Sequence, residues 1–112
     1  MVRIARLVAV AALLFSAPLL GADPSSVPAG ITYAGGDGLT VSTAVIITGG
    51  NDFTTTKAEY AWLHQHVPGA KVMNQSLFNA DGHVFDKLRV TLSNGSQRSY
   101  FFDITSGFRT LD

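Results

Sequence analysis

Two dipeptides, Asp81-Gly82 and Asn94-Gly95, constrain the fold of this chain more than any other feature of its sequence. Asp-Gly and Asn-Gly readily adopt the backbone conformations of tight turns, and between segments of alternating apolar and polar residues they are strong signals for β-hairpins. Three such segments flank the two turns: residues 71–78, 83–92 and 98–105. The sequence therefore predicts an antiparallel meander of three strands.

One earlier segment has the features of an α-helix. Residues 56–67 carry apolar side chains at the spacing of a helix face, and Pro68 ends the pattern. Thr56 and Glu59 have the spacing of a capping box, in which each side chain accepts a hydrogen bond from a free backbone N–H group at the start of a helix. This interpretation places Glu59 and His66 at the margin of the buried helix face.

A strand before the helix completes the predicted fold. Residues 42–49 contain four consecutive apolar residues, a pattern typical of a strand covered on both faces. The element order is then β-α-β-β-β, an α+β fold in which one helix packs on a small, mainly antiparallel sheet. We assign residues 41–112 to this single domain. Residues 23–40 are rich in Pro, Gly and Ser, and we predict a flexible leader that runs into a turn.

The first residues have the layout of a secretory signal peptide. Arg3 and Arg6 precede an apolar run, and Ala22 supplies a small residue at the expected cleavage site. The alternative is an uncleaved membrane anchor, but Pro18 interrupts the run, which is shorter than the roughly 20 residues that a spanning helix needs. We therefore predict that residues 1–22 are removed and that the protein is exported, to the periplasm or the extracellular space.

The composition after cleavage excludes several classes of partner. Arg3 and Arg6 are removed with the signal peptide, so six of the eight basic residues remain, together with all eight acidic residues. Nucleic acids and anionic lipids call for clustered basic residues, so we expect neither as a partner and no membrane association after signal removal. The chain has no cysteine, which excludes both a lipid-anchoring cysteine and disulfides. A small, soluble domain held by its core alone is expected.

The register of the last hairpin decides what Asp103, which lies among aromatic residues, can do. A two-residue turn would place Asp86 opposite Asp103, where two carboxylates would repel and raise the pKa of one of them. A three-residue loop with Gly95 as a bulge would instead place Asp86 opposite Phe102 and match apolar with apolar residues. We favour the bulged register, in which Asp86 faces the core and Asp103 the opposite face.

Several motifs occur in the same order in a family of short exported bacterial proteins of uncharacterised activity. The chain resembles that family in a Gly-Asp-Gly turn at residues 36–38, an Ala-Glu-Tyr-x-Trp helix at 58–62 and a Tyr-Phe-Asp-Ile-Thr type of ending at 100–105. The resemblance spans about residues 35–108 and departs at 106–108, where the family has an aromatic pair. It implies an α+β domain and no particular activity. The residues that match its motifs are Asp37, Glu59, Trp62, Asp86 and Asp103.

Five side chains are candidate binding residues: Trp62, His66, Glu59, Asp86 and Asp103. His66, Glu59 and a strand aspartate could hold a metal ion, but His64 and His66 lie only two residues apart, whereas two histidine ligands on one helix need a spacing of four. No Gly-x-Ser-x-Gly motif is present, and a domain with one helix offers little cleft for acid–base catalysis. We therefore assign no catalytic residue, metal ion or cofactor.

The aromatic residues leave two alternatives open. There are more of them than one small core readily hides, so part of the set could form an exposed patch for a partner. Alternatively, they fill the back of the sheet beneath the leader. The residues concerned are Tyr60, Trp62, Phe78, Phe85, Phe101 and Phe108.

The sequence thus predicts a non-catalytic binding or interaction module of the bacterial envelope, with a protein, peptide or glycan as partner. The alternative is a small metal-binding protein or an enzyme that uses His66, Glu59 and Asp86.

Overall fold

A computed structural model describes residues 26–108 of the chain and shows an α+β fold with one main helix and a five-stranded sheet. The predicted signal peptide at residues 1–22 and the first residues of the predicted leader lie outside the described residues. Within residues 26–108, neither helix has the length and apolar content that a membrane crossing requires. The elements are β1 (Thr32–Gly35), β2 (Val45–Thr48), α1 (Asp52–His66), β3 (Lys71–Ala80), β4 (His83–Thr91), β5 (Gln97–Asp103) and the short helix α2 (Thr105–Phe108).

The sheet has the strand order β1-β2-β5-β4-β3. Three of its pairings are antiparallel, and β2 with β5 is the parallel one. The meander β3-β4-β5 and the mainly antiparallel α+β fold are therefore confirmed. The predicted first strand, β2, lies inside the sheet, because both β1 and β5 pair with it.

β1 is a strand that the sequence analysis did not predict. Residues 32–35 fall in the segment assigned to a leader and a turn, but they pair with β2, with Tyr33 opposite Ile47. The Tyr33 hydroxyl also donates a 2.6 Å hydrogen bond to the carbonyl oxygen of Ala58 in α1. These contacts are distant in sequence, so the local richness in Gly and Pro could not reveal them.

The start of α1 differs from the prediction. Asn51 is the N-cap: its side chain accepts backbone hydrogen bonds, and the Thr54 hydroxyl accepts the Asn51 backbone N–H at 2.8 Å. This capping box begins five residues before the predicted one, so the assignment of Thr56 and Glu59 as a cap is wrong. Thr56 instead donates to the carbonyl oxygen of Asp52, and Glu59 lies in the middle of the helix.

The core lies between α1 and one face of the sheet. Leu88 and Phe102, from the two central antiparallel strands, are fully buried there. Trp62 of α1 packs its ring edge-on against Phe102, with centroids 5.6 Å apart. Contacts of this kind account for most of the stabilising apolar burial in a domain without disulfides.

The β4–β5 hairpin has the bulged register. The Leu92 N–H donates to the Ser96 carbonyl oxygen at 2.7 Å, and Gly95 has a φ of +89°, which favours glycine. Asp86 is paired with Phe102 rather than with an acid, and it is 1% exposed on the core side of the sheet. The predicted register is confirmed.

Candidate functional site

The five predicted binding residues do not form one site. Glu59 and Asp86 meet in the core, Trp62 and His66 pair near the end of α1, and Asp103 lies on the other face of the sheet. These three locations are described in turn below.

Glu59 and Asp86 form a buried pair of carboxyl groups. Glu59 is 0% exposed at the centre of the buried face of α1, and the Asp86 side chain approaches it from β4 within hydrogen-bonding reach. Gln75 donates from Nε2 to Asp86 Oδ2. Among the described residues, no N–H or hydroxyl group donates to either Glu59 oxygen or to Asp86 Oδ1. Two ionised carboxylates would repel in such a place, so the pair needs a shared proton.

Burial favours the protonated form of this pair, most strongly at Glu59. Burial raises the pKa of Glu59 to about 10, and the hydrogen bond to Asp86 and its negative charge add to the effect. Burial also raises the pKa of Asp86, but hydrogen bonds from Glu59 and Gln75 oppose that rise. The pair therefore keeps one proton at neutral pH, shared between the two carboxyl groups. Glu59 is thus a core residue and not a residue of the helix margin.

Trp62 and His66 form a stacked pair on successive turns of α1. Their ring centroids are 4.3 Å apart and their planes differ by 12°. His66 Nδ1 lies 3.0 Å from the Trp62 carbonyl oxygen, which only accepts, so Nδ1 donates this hydrogen bond. An open cavity of about 350 Å³ adjoins the pair, with Asp37 and Tyr100 in its lining. The stack stabilises the last turns of the helix.

The residues of the metal alternative do not converge. Within residues 26–108, no group of three or more His, Cys, Asp or Glu side chains is arranged to hold a metal ion. Glu59 and Asp86 are bound to each other, while His66 is directed back to Trp62. The combination of His66, Glu59 and Asp86 is therefore not a metal site in the described part of the chain.

Asp103 is satisfied by three hydrogen bonds, which explains a carboxylate in so apolar a strand. Its Oδ1 accepts the backbone N–H of Thr105 at 3.1 Å and the Thr105 hydroxyl at 2.6 Å. Its Oδ2 accepts His83 Nδ1–H at 2.8 Å. The Thr105 hydroxyl in turn accepts the Val84 N–H at 2.9 Å. This Asx turn starts α2 and ties it to the end of β4.

His83 is a residue that the sequence analysis did not assign to a site. Phe85 pairs with Asp103, and His83 lies two residues before Phe85 on the same face of the sheet. The predicted register of the β4–β5 hairpin was thus the sequence signal that could have identified His83 as a neighbour of Asp103. Among the described residues, the side-chain hydrogen bonds of His83 all involve Nδ1. Asp103 therefore orients the imidazole, and no nucleophilic side chain of residues 26–108 is hydrogen-bonded to Nε2.

An open groove of about 700 Å³ adjoins this pair on the sheet face opposite α1. Ile46 and Phe85 contribute apolar side chains to it. Phe78 stacks on Phe85 with centroids 5.4 Å apart and meets the edge of Phe101 at 6.2 Å. These three aromatic rings therefore pack on one another on this face, in agreement with the alternative in which they fill the back of the sheet.

The edge strand β3 is an exposed part of the fold. It is ten residues long and, within the described residues, pairs only with β4. Residues 72–80 contain no charge, no proline and no glycine. Met73 and Leu77 are 56% and 54% exposed. A long, uncharged, partly apolar edge of this kind is a template for pairing with another strand.

The hydrogen-bonding pattern identifies the free backbone groups of β3. The backbone hydrogen bond between Leu92 and Ser96 shows that the N–H and C=O groups of even-numbered residues in β4 point to β5. The direction of these groups alternates from one residue to the next along an antiparallel strand. The odd-numbered ones are therefore directed to β3. Gln75, Leu77 and Asn79 are opposite even-numbered residues of β4. Their N–H and C=O groups consequently point away from β4, to the open edge.

Edge strands in stable proteins are commonly protected by charges, prolines, bulges or short length. β1, at the other end of the sheet, is only four residues long. β3 has a lysine at its first position and a bulge between Val72 and Asn74. Residues 74–80 beyond the bulge are regular and unprotected.

No protein-family model matches the chain, and no curated protein or solved structure matches it. Function must therefore be inferred from the geometry of this chain. The α+β domain implied by the motif resemblance is present.

The buried acid pair predicts that stability falls as pH rises. The pKa of Glu59 is near 4.5 in the unfolded chain and about 10 in the folded one, so folding binds a proton over this interval. The stabilising contribution is complete below about pH 4.5 and is lost as pH rises towards 10, by on the order of 1 kcal/mol per pH unit. Glu59→Gln keeps a neutral donor and should flatten this dependence. Urea unfolding between about pH 5 and pH 9 measures it.

Asp81→Asn is the matched control for this experiment, because it neutralises an exposed acid in the β3–β4 turn. It should leave the slope of the wild-type curve unchanged. Parallel curves for Glu59→Gln and the wild type would contradict the shared proton.

The Asp103 network predicts a coupled loss of stability. Asp103→Asn leaves one side-chain oxygen for partners that now occupy two, so it should lower the free energy of unfolding by about 1–2 kcal/mol. His83→Ala should cost less in the Asp103→Asn background than in the wild type, because the shared hydrogen bond is already lost. Strictly additive effects in this double-mutant cycle would show that His83 and Asp103 do not interact.

Proposed function

We propose that this protein is an exported, non-catalytic interaction module that binds an extended segment of another polypeptide along the edge of β3. The observation that carries the proposal is the row of backbone groups at Gln75, Leu77 and Asn79, which no strand within residues 26–108 pairs. Strand addition of this kind draws its affinity from main-chain hydrogen bonds and its specificity from alternate side chains.

The chemistry of the edge favours a polypeptide over a glycan. N–H and C=O groups that repeat at every second residue match the backbone of a second strand, whose spacing is the same. The exposed Leu77 side chain offers an apolar contact on the α1 side of the sheet. The preferred partner is therefore an extended segment with an apolar residue opposite Leu77 and no charge there.

The acidic side chains support binding rather than catalysis. Glu59 is fully buried and shares its proton with Asp86. Asp103 has its oxygens engaged by Thr105 and His83. These carboxyl groups stabilise the helix–sheet contact and the start of α2, so they are not available as reagents for a substrate.

Export to the envelope follows from the signal features of residues 1–22. The matching test is expression of the full chain in a bacterium, followed by mass measurement of the periplasmic and extracellular fractions. A product that begins at Asp23, or within a few residues of it, is expected. Replacing Ala22 by a bulky residue (Ala22→Trp) should slow cleavage. Intact chain confined to the cytoplasm would contradict this part of the proposal.

Strand addition can be tested with peptides of about 12 residues selected from a displayed library on the wild-type protein. Bound peptide should slow amide hydrogen exchange at Gln75, Leu77 and Asn79. The amides of Ser76 and Phe78 should change little, because the ladder to β4 already protects them. This alternation distinguishes pairing with the edge from binding elsewhere.

The affinity of the same peptides can be compared between two variants, Leu77→Pro and Leu77→Thr. Both remove the leucine side chain, but only proline removes the outward N–H, at a position where an edge strand tolerates it. The proline variant should lose at least about tenfold in affinity relative to the threonine variant, since 1.4 kcal/mol corresponds to a factor of ten. Equal affinities for the two variants would overturn the proposal.

A further inference from the structure

We infer that a second copy of this chain is one partner of the β3 edge, in an antiparallel pairing that places Leu77 opposite Leu77 of the second copy. This inference rests on the proposed function, because it uses the same edge. It goes further by naming the partner and the register.

The bulge determines where a regular ladder can form. Pairing with β4 is irregular between Val72 and Asn74, and it is regular from Asn74 to Ala80. Leu77 is the central residue of this regular segment. An antiparallel pair of identical segments has a two-fold axis, and an axis at Leu77 uses the whole segment in both copies.

The outward backbone groups agree with this register. Gln75, Leu77 and Asn79 are placed symmetrically about Leu77, so Gln75 of each copy would face Asn79 of the other. Residues that face each other are then outward-directed in both copies, which is the condition for hydrogen-bonded pairs in an antiparallel ladder. A two-fold axis half a residue away, between consecutive positions, would pair an outward-directed residue with an inward-directed one.

The side chains are also self-complementary in this register. Leu77 would cover Leu77 of the second copy, and the amide of Gln75 would lie beside that of Asn79. On the other face, Ser76 would lie beside Phe78. Residues 74–80 carry no charge, so two copies meet without like-charge repulsion.

The second copy also finds room at this edge. Leu77 is on the same face of the sheet as the core residues opposite it in β4, yet it is 54% exposed. The described elements therefore leave this part of the α1-side face uncovered. In the two-fold pairing the two α1 helices lie on the same face of one continuous sheet.

Site-specific crosslinking tests the register directly. The chain has no cysteine, so Leu77→Cys introduces a unique thiol. In the inferred pairing the two Cα atoms at position 77 are about 5.5 Å apart, within disulfide range. Met73→Cys is the matched control, because Met73 is as exposed as Leu77. Its two copies would be displaced by eight positions, or roughly 27 Å.

With diamide as the oxidant, Leu77→Cys should form a disulfide-linked dimer at least about tenfold faster than Met73→Cys. Analytical ultracentrifugation of the wild type should show mass doubling as concentration rises, since a single strand pair makes a small, weak interface. Leu77→Lys should remain monomeric, because it places two cations face to face, whereas Leu77→Thr should still associate.

Equal crosslinking of the two cysteine variants, or a wild-type protein that stays monomeric up to about 1 mM, would overturn the self-pairing. The proposed function would survive that result if selected peptides still protected the amides of Gln75, Leu77 and Asn79. Self-association at Leu77 without peptide binding would support the inferred dimer. It would contradict the proposal that the β3 edge binds other polypeptides.

Discussion

The fold depends on the compatibility of the two turns at the ends of β4. The two-residue turn at Asp81-Gly82 makes Ala80 and His83 a hydrogen-bonded pair. The backbone N–H and C=O groups of the odd-numbered residues of β4 therefore point to β3. The backbone groups of the even-numbered residues must then point to β5, and the hydrogen bond from the Leu92 N–H to the Ser96 carbonyl oxygen agrees with this. A two-residue turn at residues 94–95 would require the opposite direction within the same strand. The three-residue loop with its bulge is therefore the loop that completes the meander.

This one constraint assigns the acids to their places. Because even-numbered residues of β4 face α1, Asp86 enters the core, where it shares a proton with Glu59. Because β5 follows the same register, Asp103 faces the other side and binds His83 and Thr105. The domain thus contains a polar contact at the centre of an otherwise apolar helix–sheet interface. Such a contact is costly to break and specifies how the helix sits on the sheet.

The same alternation connects the fold to the proposed function. β4 satisfies half of the backbone groups of β3 and leaves those of Gln75, Leu77 and Asn79 directed outward. Nothing in the described part of the chain pairs with them. A second strand satisfies them at little cost, because the edge is already extended, uncharged and partly apolar. Binding through an edge also needs no cleft, which suits a domain with one main helix.

The sequence by itself determined the meander, the existence of the helix and the bulged register, because turn residues and the spacing of apolar residues act between neighbouring residues. It did not reveal β1, whose pairing with β2 links segments that have no local signature. It also misplaced Glu59, because α1 begins at Asp52 with Asn51 as its N-cap, so Glu59 lies in the middle of the helix on its buried face. The partnerships of Glu59 with Asp86 and of His83 with Asp103 join residues 27 and 20 positions apart. Only the tertiary structure could decide them, because burial and distance, not residue type, determine whether a carboxyl group keeps its proton.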